Sequence, residues 1–148
     1  MTDQRSAPEE GASEHPRTKP ETLRLRSLTP SLTVDDLEQS LRFYTDGLGF
    51  TVDERWEEDG RLLGVMLLAG TCRIGLSQDD WAKGRGREKG LGFRLWAETA
   101  QDLDELAERM RQHGLEPDGP KTESWGARTL SVVDPDGYKL TFNPPQTD

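Results

Sequence analysis

The chain carries the same order of elements twice. Residues Leu28–Val34 alternate, with Pro30, Leu32 and Val34 on one face and Thr29, Ser31 and Thr33 on the other, which predicts a half-buried strand. Asp35 and Asp36 follow as helix N-caps. Leu37, Leu41, Phe43 and Tyr44 then keep helical spacing until Gly47 and Gly49 end the helix. Three strands come next: Phe50–Trp56, Leu62–Leu68 beyond an Asp59-Gly60 hairpin turn, and Cys72–Ser77. After a glycine- and base-rich connector, Gln78–Gly90, the pattern restarts. Leu91–Trp96 alternates, and Leu103, Leu106, Ala107 and Met110 form an amphipathic helix stopped by Gly114. Leu115–Trp125, broken by Pro117, Gly119 and Pro120, reads as an irregular or edge strand, and Arg128–Val133 and Tyr138–Asn143 as the last two. Such a repeat predicts one small domain over about residues 25–145, built from two similar halves near residues 27–79 and 90–145.

The 148 residues are one domain's worth of chain, enough for a core without disulfides or structural metal. The first 26 residues have no hydrophobic period and cannot repay their own ordering entropy. They predict a disordered tail over about residues 1–24, and residues 146–148 form a short C-terminal tail. Within Met1–Arg26 five acids (Asp3, Glu9, Glu10, Glu14, Glu21) balance five bases (Arg5, Arg17, Lys19, Arg24, Arg26), so the net charge of −9 belongs to the chain that follows, nearly all of it to the folded part. An acidic domain argues against nucleic acid or an anionic membrane surface as partner. Cys72 is alone, which excludes an intrachain disulfide, and no apolar run approaches a membrane span. The expected location is the cytoplasm. The connector's glycines lack the Gly-Lys-Ser/Thr ending of a phosphate loop, so they are read as a flexible link between halves.

Three stretches carry a resemblance. They are Pro30-Ser-Leu-Thr-Val-Asp-Asp-Leu-Glu-Gln-Ser-Leu-Arg-Phe-Tyr-Thr-Asp-Gly-Leu-Gly-Phe50, then Trp125-Gly126-Ala127-Arg128, then Asp134-Pro135-Asp136-Gly137-Tyr138-Lys139-Leu140. Together they resemble the vicinal oxygen chelate superfamily, which includes glyoxalase I, extradiol dioxygenases, fosfomycin-modifying enzymes and bleomycin-binding resistance proteins. The resemblance implies an α+β fold of two βαβββ modules, whose strands curl into a half-barrel with helices outside, paired across a dimer. Leu32, Val34, Leu91, Phe93, Leu95, Leu140 and Phe142 would face the helices. Thr29, Ser31, Thr33, Arg73, Gly75, Arg94, Trp96, Lys139, Thr141 and Asn143 would line the cavity.

In metalloenzymes of this superfamily, His or Glu ligands stand on the first and last strand of each module. The corresponding positions here are Thr29, Gly75, Gly90 and Thr141, none of which supplies an imidazole or carboxylate. The two histidines are His15, in the tail, and His113, at a helix C-terminus where the helix dipole favours it. No metal, no cofactor and no catalytic residue is therefore expected. A cavity without a metal can still bind, and aromatic side chains with a few polar groups are the usual make-up of a small-molecule site. Trp96 and Trp125 are expected to share one place, with Arg94, Arg73, Arg128, Ser31 and Asn143 as further ligand-binding candidates. An internal acid such as Glu123 is the competing partner for those arginines.

The likeness within the superfamily is greatest to bleomycin-resistance proteins. These lack the metal ligands and are dimers that sequester a planar, cationic glycopeptide between subunits. This chain departs from them in placing Arg94 and Arg73 on the cavity side. The expected function is metal-free binding of a drug-like or aromatic molecule by a homodimer, sequestration of an antibiotic being one form of it. The alternatives are a glyoxalase, lyase or dioxygenase with an unusual metal site, and an interaction module with a collapsed cavity.

Overall fold

A computed structural model describes residues 22–145. The expected tails, residues 1–24 and 146–148, lie almost wholly outside the described residues. The element order is β1 (Ser31–Val34), α1 (Leu37–Arg42), a π-helical continuation (Phe43–Leu48), β2 (Thr51–Glu58), β3 (Arg61–Ala69) and β4 (Cys72–Gln78). The second half repeats it with β5 (Arg94–Glu98), α2 (Leu103–Gln112), β6 (Asp118–Thr122), β7 (Arg128–Val133) and β8 (Lys139–Asn143). Each half is a four-stranded mixed sheet, β1-β4-β3-β2 and β5-β8-β7-β6, in which the first strand lies parallel to the last. The sheets are open rather than closed into a barrel, and the fold is α+β.

Local chemistry accounts for the helices. The Asp36 carboxylate accepts from the Gln39 N–H, and the Asp102 carboxylate from the Asp104 and Glu105 N–H groups, so both helices start on a side-chain cap. In the first helix Thr45 Oγ1 donates back to the Leu41 carbonyl at 2.7 Å. A hydroxyl competing for that carbonyl accompanies the widened π turn over Phe43–Leu48. Gly49, at φ +100°, then closes the helix in the left-handed region. In α2 the buried Leu103, Ala107 and Met110 fall at i, i+4 and i+7 and pack toward the sheet.

The core lies between helices and sheets, with Leu32, Val34, Leu37, Leu41, Val65, Leu67, Ile74 and Leu76 from the first half. Leu103, Ala107, Met110, Leu130, Val132 and Leu140 supply the second, with Phe93, Leu95 and Phe142 against them. Leu91 departs from this set. It lies outside β5 and is 83% exposed, because Gly90 is drawn against the Asp134–Gly137 turn and the strand starts only at Arg94.

That turn joins the two halves. Tyr44 donates its hydroxyl to Asp134 at 2.7 Å, and Tyr138 donates to the Thr33 carbonyl at 2.9 Å. The Asp35 N–H donates to Asp136 at 3.0 Å. Burial raises the Asp134 carboxyl above the usual carboxylate range, against the lowering effect of its bonds from Tyr44, Tyr138 and Asp136. The connector is also more tied than a flexible link. Asp79 accepts from the Trp81 N–H at 2.9 Å, from Arg87 at 3.0 Å and from the buried Lys89 ammonium at 3.0 Å, while Lys89 also pairs with Asp35. The bond from the Trp81 N–H, followed by that from Lys89, holds the Asp79 carboxyl below its ordinary range.

Tyr44→Phe leaves one Asp134 oxygen buried without its side-chain donor, an expected loss of about 1–3 kcal/mol. It also pushes the already raised Asp134 carboxyl higher. A raised folded-state value contributes stability that is complete below the unfolded value, near 3.8, and fades as pH rises through the folded one. The loss should therefore be larger near neutral pH than in mild acid. Urea unfolding of both proteins at the two conditions checks this, and an equal loss at both would place the cost in packing alone.

Candidate functional site

The sheet faces turned away from the helices carry the candidate residues. Strand registers arrange them in rows. On the second sheet Trp96 lies beside Thr141, which lies beside Ser131, with Asp118 beyond. The next row in one direction holds Arg94, Lys139 and Val133. Glu98 and Asn143 form the row on the other side. The floor beneath Trp96 is hydroxylic: Ser131 Oγ and Thr141 Oγ1 are buried and 2.9 Å apart, each satisfying the other.

Over this floor stands an indole pair. Trp125, from the loop between β6 and β7, meets Trp96 edge to face, with centroids 6.3 Å apart and planes at 64°. The loop is held in place by the Glu123 N–H donating to the Ala127 carbonyl, and by Thr129 donating its hydroxyl to the Glu123 carboxylate. Trp96 is 58% exposed and Trp125 64% exposed, a large apolar area to leave in water. The two expected indoles are thus brought together.

The arginines divide. Arg94 stands on the open face, exposed, with no ion pair or side-chain hydrogen bond among the described residues. Arg73 is on the corresponding face of the first sheet, paired with Asp53 at 3.2 Å. Arg128 corrects the expectation. Its strand neighbour Thr129 has the parity of Ser131, so Arg128 lies on the opposite face with Leu130 and Val132, and it pairs with Asp104 of α2 at 3.0 Å. Glu123 neutralises none of the three, its carboxylate being taken by Thr129. Ser31 is exposed beside Gly75 on the first sheet. Asn143 is half-buried and donates to the Pro144 carbonyl at 3.2 Å.

One residue escapes the reading of the sequence. Trp56 shares a row with Gly64, Ser77 and Thr33, and a Cβ built on Gly64 would sit 3.4 Å from the Trp56 ring. Trp56 therefore lies over the small residue on the open face of the first sheet, 47% exposed. Counting back from the Asp59-Gly60 turn hints at this pairing, but two bulges in β2 hide the register. A groove of about 540 Å³ opens between the first helix and the second sheet, lined by Gln39, Phe43, Leu115 and Glu116 and, from the open sheet face, by Asp118, Ser131, Val133 and Lys139. Its lining is mixed and holds no indole.

The positions expected to correspond to metal ligands can be located. Gly75 neighbours Ser31, and Thr29 precedes the strand. Gly90 is not where the sequence pattern puts it. Its N–H donates to the Asp136 carbonyl, and a Cβ there would lie 2.1 Å from the Gly137 backbone, so it serves the joint between halves. The neighbour of Thr141 on the fifth strand is Trp96 instead. Serine, glycine, tryptophan and a threonine already bonded to Ser131 do not fit a divalent metal. Among the described residues no three His, Cys, Asp or Glu side chains converge for one. His113 caps α2, with Nδ1 3.0 Å from the Arg109 carbonyl.

The chain belongs to the glyoxalase/bleomycin resistance protein/dioxygenase superfamily, whose family model matches residues 24–142. It is 30% identical over 129 residues to a bleomycin resistance protein of Geobacillus stearothermophilus, covering 76% of this chain and 92% of that protein. It is also 30% identical over 115 residues to glutathione transferase FosA of Serratia marcescens, covering 76% of each. Among solved structures, TnmS3, an antibiotic binding protein from Streptomyces sp. CB03234, shares the fold with a TM-score of 0.64 and 24% identity, covering 85% of this chain and 100% of that one. Among the described residues no helix is long and apolar enough to cross a membrane.

Chelation is expected to leave the protein unchanged. After treatment with EDTA the melting temperature should stay where it was, and adding Zn²⁺, Mn²⁺ or Ni²⁺ should not raise it. A stabilisation that saturates at one equivalent of metal would contradict the donor set, because a specific ligand must stabilise the fold it binds.

Proposed function

We propose that this protein binds a small organic molecule with a flat aromatic part, of the antibiotic type, without a metal, and that it does so as a homodimer. The observation that carries the reading is the Trp96–Trp125 pair, exposed and edge to face above a floor whose hydroxyls already satisfy each other. Such a floor has no strong polar demand of its own, so the site selects by stacking and shape. Similarity to a bleomycin resistance protein and to an antibiotic binding protein supports the same reading.

What the single chain leaves open supports the homodimer. One face of each sheet is covered by its helix, and the other presents Trp56, Trp96 and Trp125 to solvent. A second copy covering these faces would bury the indoles and turn two shallow faces into enclosed clefts. The enzyme reading, to which the glutathione transferase relative lends support, lacks donors at the positions such chemistry needs. With a lone exposed cysteine and no disulfide to form, the chain suits a reducing compartment, and we place it in the cytoplasm.

Titration with bleomycin and with planar polycyclic antibiotics, read by tryptophan fluorescence, tests the binding. At least one should quench or shift the emission. Trp96→Ala should weaken it about 30-fold, the ~2 kcal/mol of a truncated aromatic anchor, with the folding midpoint nearly unchanged. Binding unaffected by both Trp96→Ala and Trp125→Ala would move the site elsewhere. Sedimentation should give twice the chain mass, and a monomer that still binds would remove the dimer from the account.

A further inference from the structure

The row next to the indole pair has an unusual charge pattern for so acidic a protein. Arg94 and Lys139 are direct register partners on the parallel strands β5 and β8, so both side chains leave the same face side by side. Like charges directly opposite one another in a sheet repel. Neither has an ion pair or a side-chain hydrogen bond among the described residues.

The acids near the pair form no ion pair with it among the described residues: Glu116, Asp118 and Asp134 line one groove with Lys139, and Asp134 accepts from Tyr44 instead. Asp118 lies in the Trp96 row at the far edge and is held by Lys121 at 3.0 Å. Glu98 is four residues along β5 from Arg94, about 13 Å at the rise of an extended strand. Some other cations find carboxylates, Arg73 on Asp53, Arg128 on Asp104, Arg87 and Lys89 on Asp79, whereas Arg42, Arg55 and Arg61 pair with none among the described residues. Arg94 and Lys139, adjacent in register and without an ion pair among the described residues, stand beside an aromatic platform in a chain of net charge −9.

We infer that Arg94 and Lys139 form the seat for an oxyanion of the ligand, so that the molecule taken up is an aromatic acid rather than a cation. The inference rests on the reading of the Trp96–Trp125 face as the binding site. Arg94 and Trp96 are two residues apart on one strand, about 6.6 Å, which suits a carboxylate attached directly to a fused ring system. The ring lies on the indoles while one carboxylate oxygen meets the guanidinium and the other the ammonium, two charge-assisted bonds that a carboxamide cannot match. Val133, the third member of that row and exposed, offers an apolar edge for the ring.

Three probes of one shape separate the possibilities: naphthoate, naphthamide and naphthylmethylammonium, titrated calorimetrically into the full-length wild type, the Arg94→Gln/Lys139→Gln double variant and Trp96→Ala. The wild type should prefer naphthoate over naphthamide by about tenfold or more, with the ammonium weakest, as for a pair of charge-assisted bonds. The double variant should lose that preference while keeping its naphthamide affinity and its melting temperature. Trp96→Ala should weaken both. If naphthamide or the ammonium binds the wild type as well as naphthoate and still depends on Trp96, the oxyanion seat is wrong and the aromatic site stands. If the double variant keeps the preference, or instead falls apart into monomers, the two cations serve another role and the inference fails. If none of the probes binds the wild type, both the seat and the aromatic site fall.

Discussion

The buried bond from Tyr44 to Asp134 is the constraint on which the rest of this structure hangs. It ties the end of the first helix to the turn before the last strand, 90 residues later in the chain. Around it the same turn receives the Asp35 N–H, and Gly90 packs flush against Gly137. A carboxylate buried with few partners would be costly, but three donors converge on Asp134. The halves are therefore held together by a polar joint, with the apolar core spread on either side of it.

That arrangement leaves the opposite sheet faces free for other use. With helices and joint consuming the apolar faces, small residues such as Ser31, Gly64 and Gly75 cover much of the first open face. The Ser131–Thr141 pair lies on the second. Beside Met66, Leu68 and Val133, the larger side chains there include indoles and cations, the residue types that gain most from a flat, charged guest. The same positions that exclude a divalent metal thus make room for an organic molecule.

Much of the fold is legible in the sequence because each half repeats one simple pattern. Capping aspartates, glycine stops and alternation place both helices and the strands of the core. What stays hidden is register. Strand alternation says which residues share a face but not where a strand begins, so Leu91 reads as part of a strand that starts at Arg94. The bulges in β2 conceal Trp56 over Gly64. The motif around Arg128 points it at the cavity, whereas its parity with Leu130 turns it toward α2. The Trp96–Trp125 contact is recoverable, since one residue has the right parity and the other sits in a loop that can reach it. The partners that neutralise Arg73 and leave Arg94 open depend on side-chain geometry that no spacing encodes.

The indole N–H groups show directly where a bound ligand sits. The four tryptophan indole N–H groups give four resolvable signals in a two-dimensional ¹⁵N–¹H spectrum, assignable by single Trp→Phe variants. Adding a ligand that binds should shift the Trp96 and Trp125 signals, while Trp81, packed under Arg85 in the connector, stays in place. Shifts confined to Trp81, or absent from all four indoles while the backbone around Phe43 and Leu115 responds, would put the binding site in the groove beside the first helix and contradict the account.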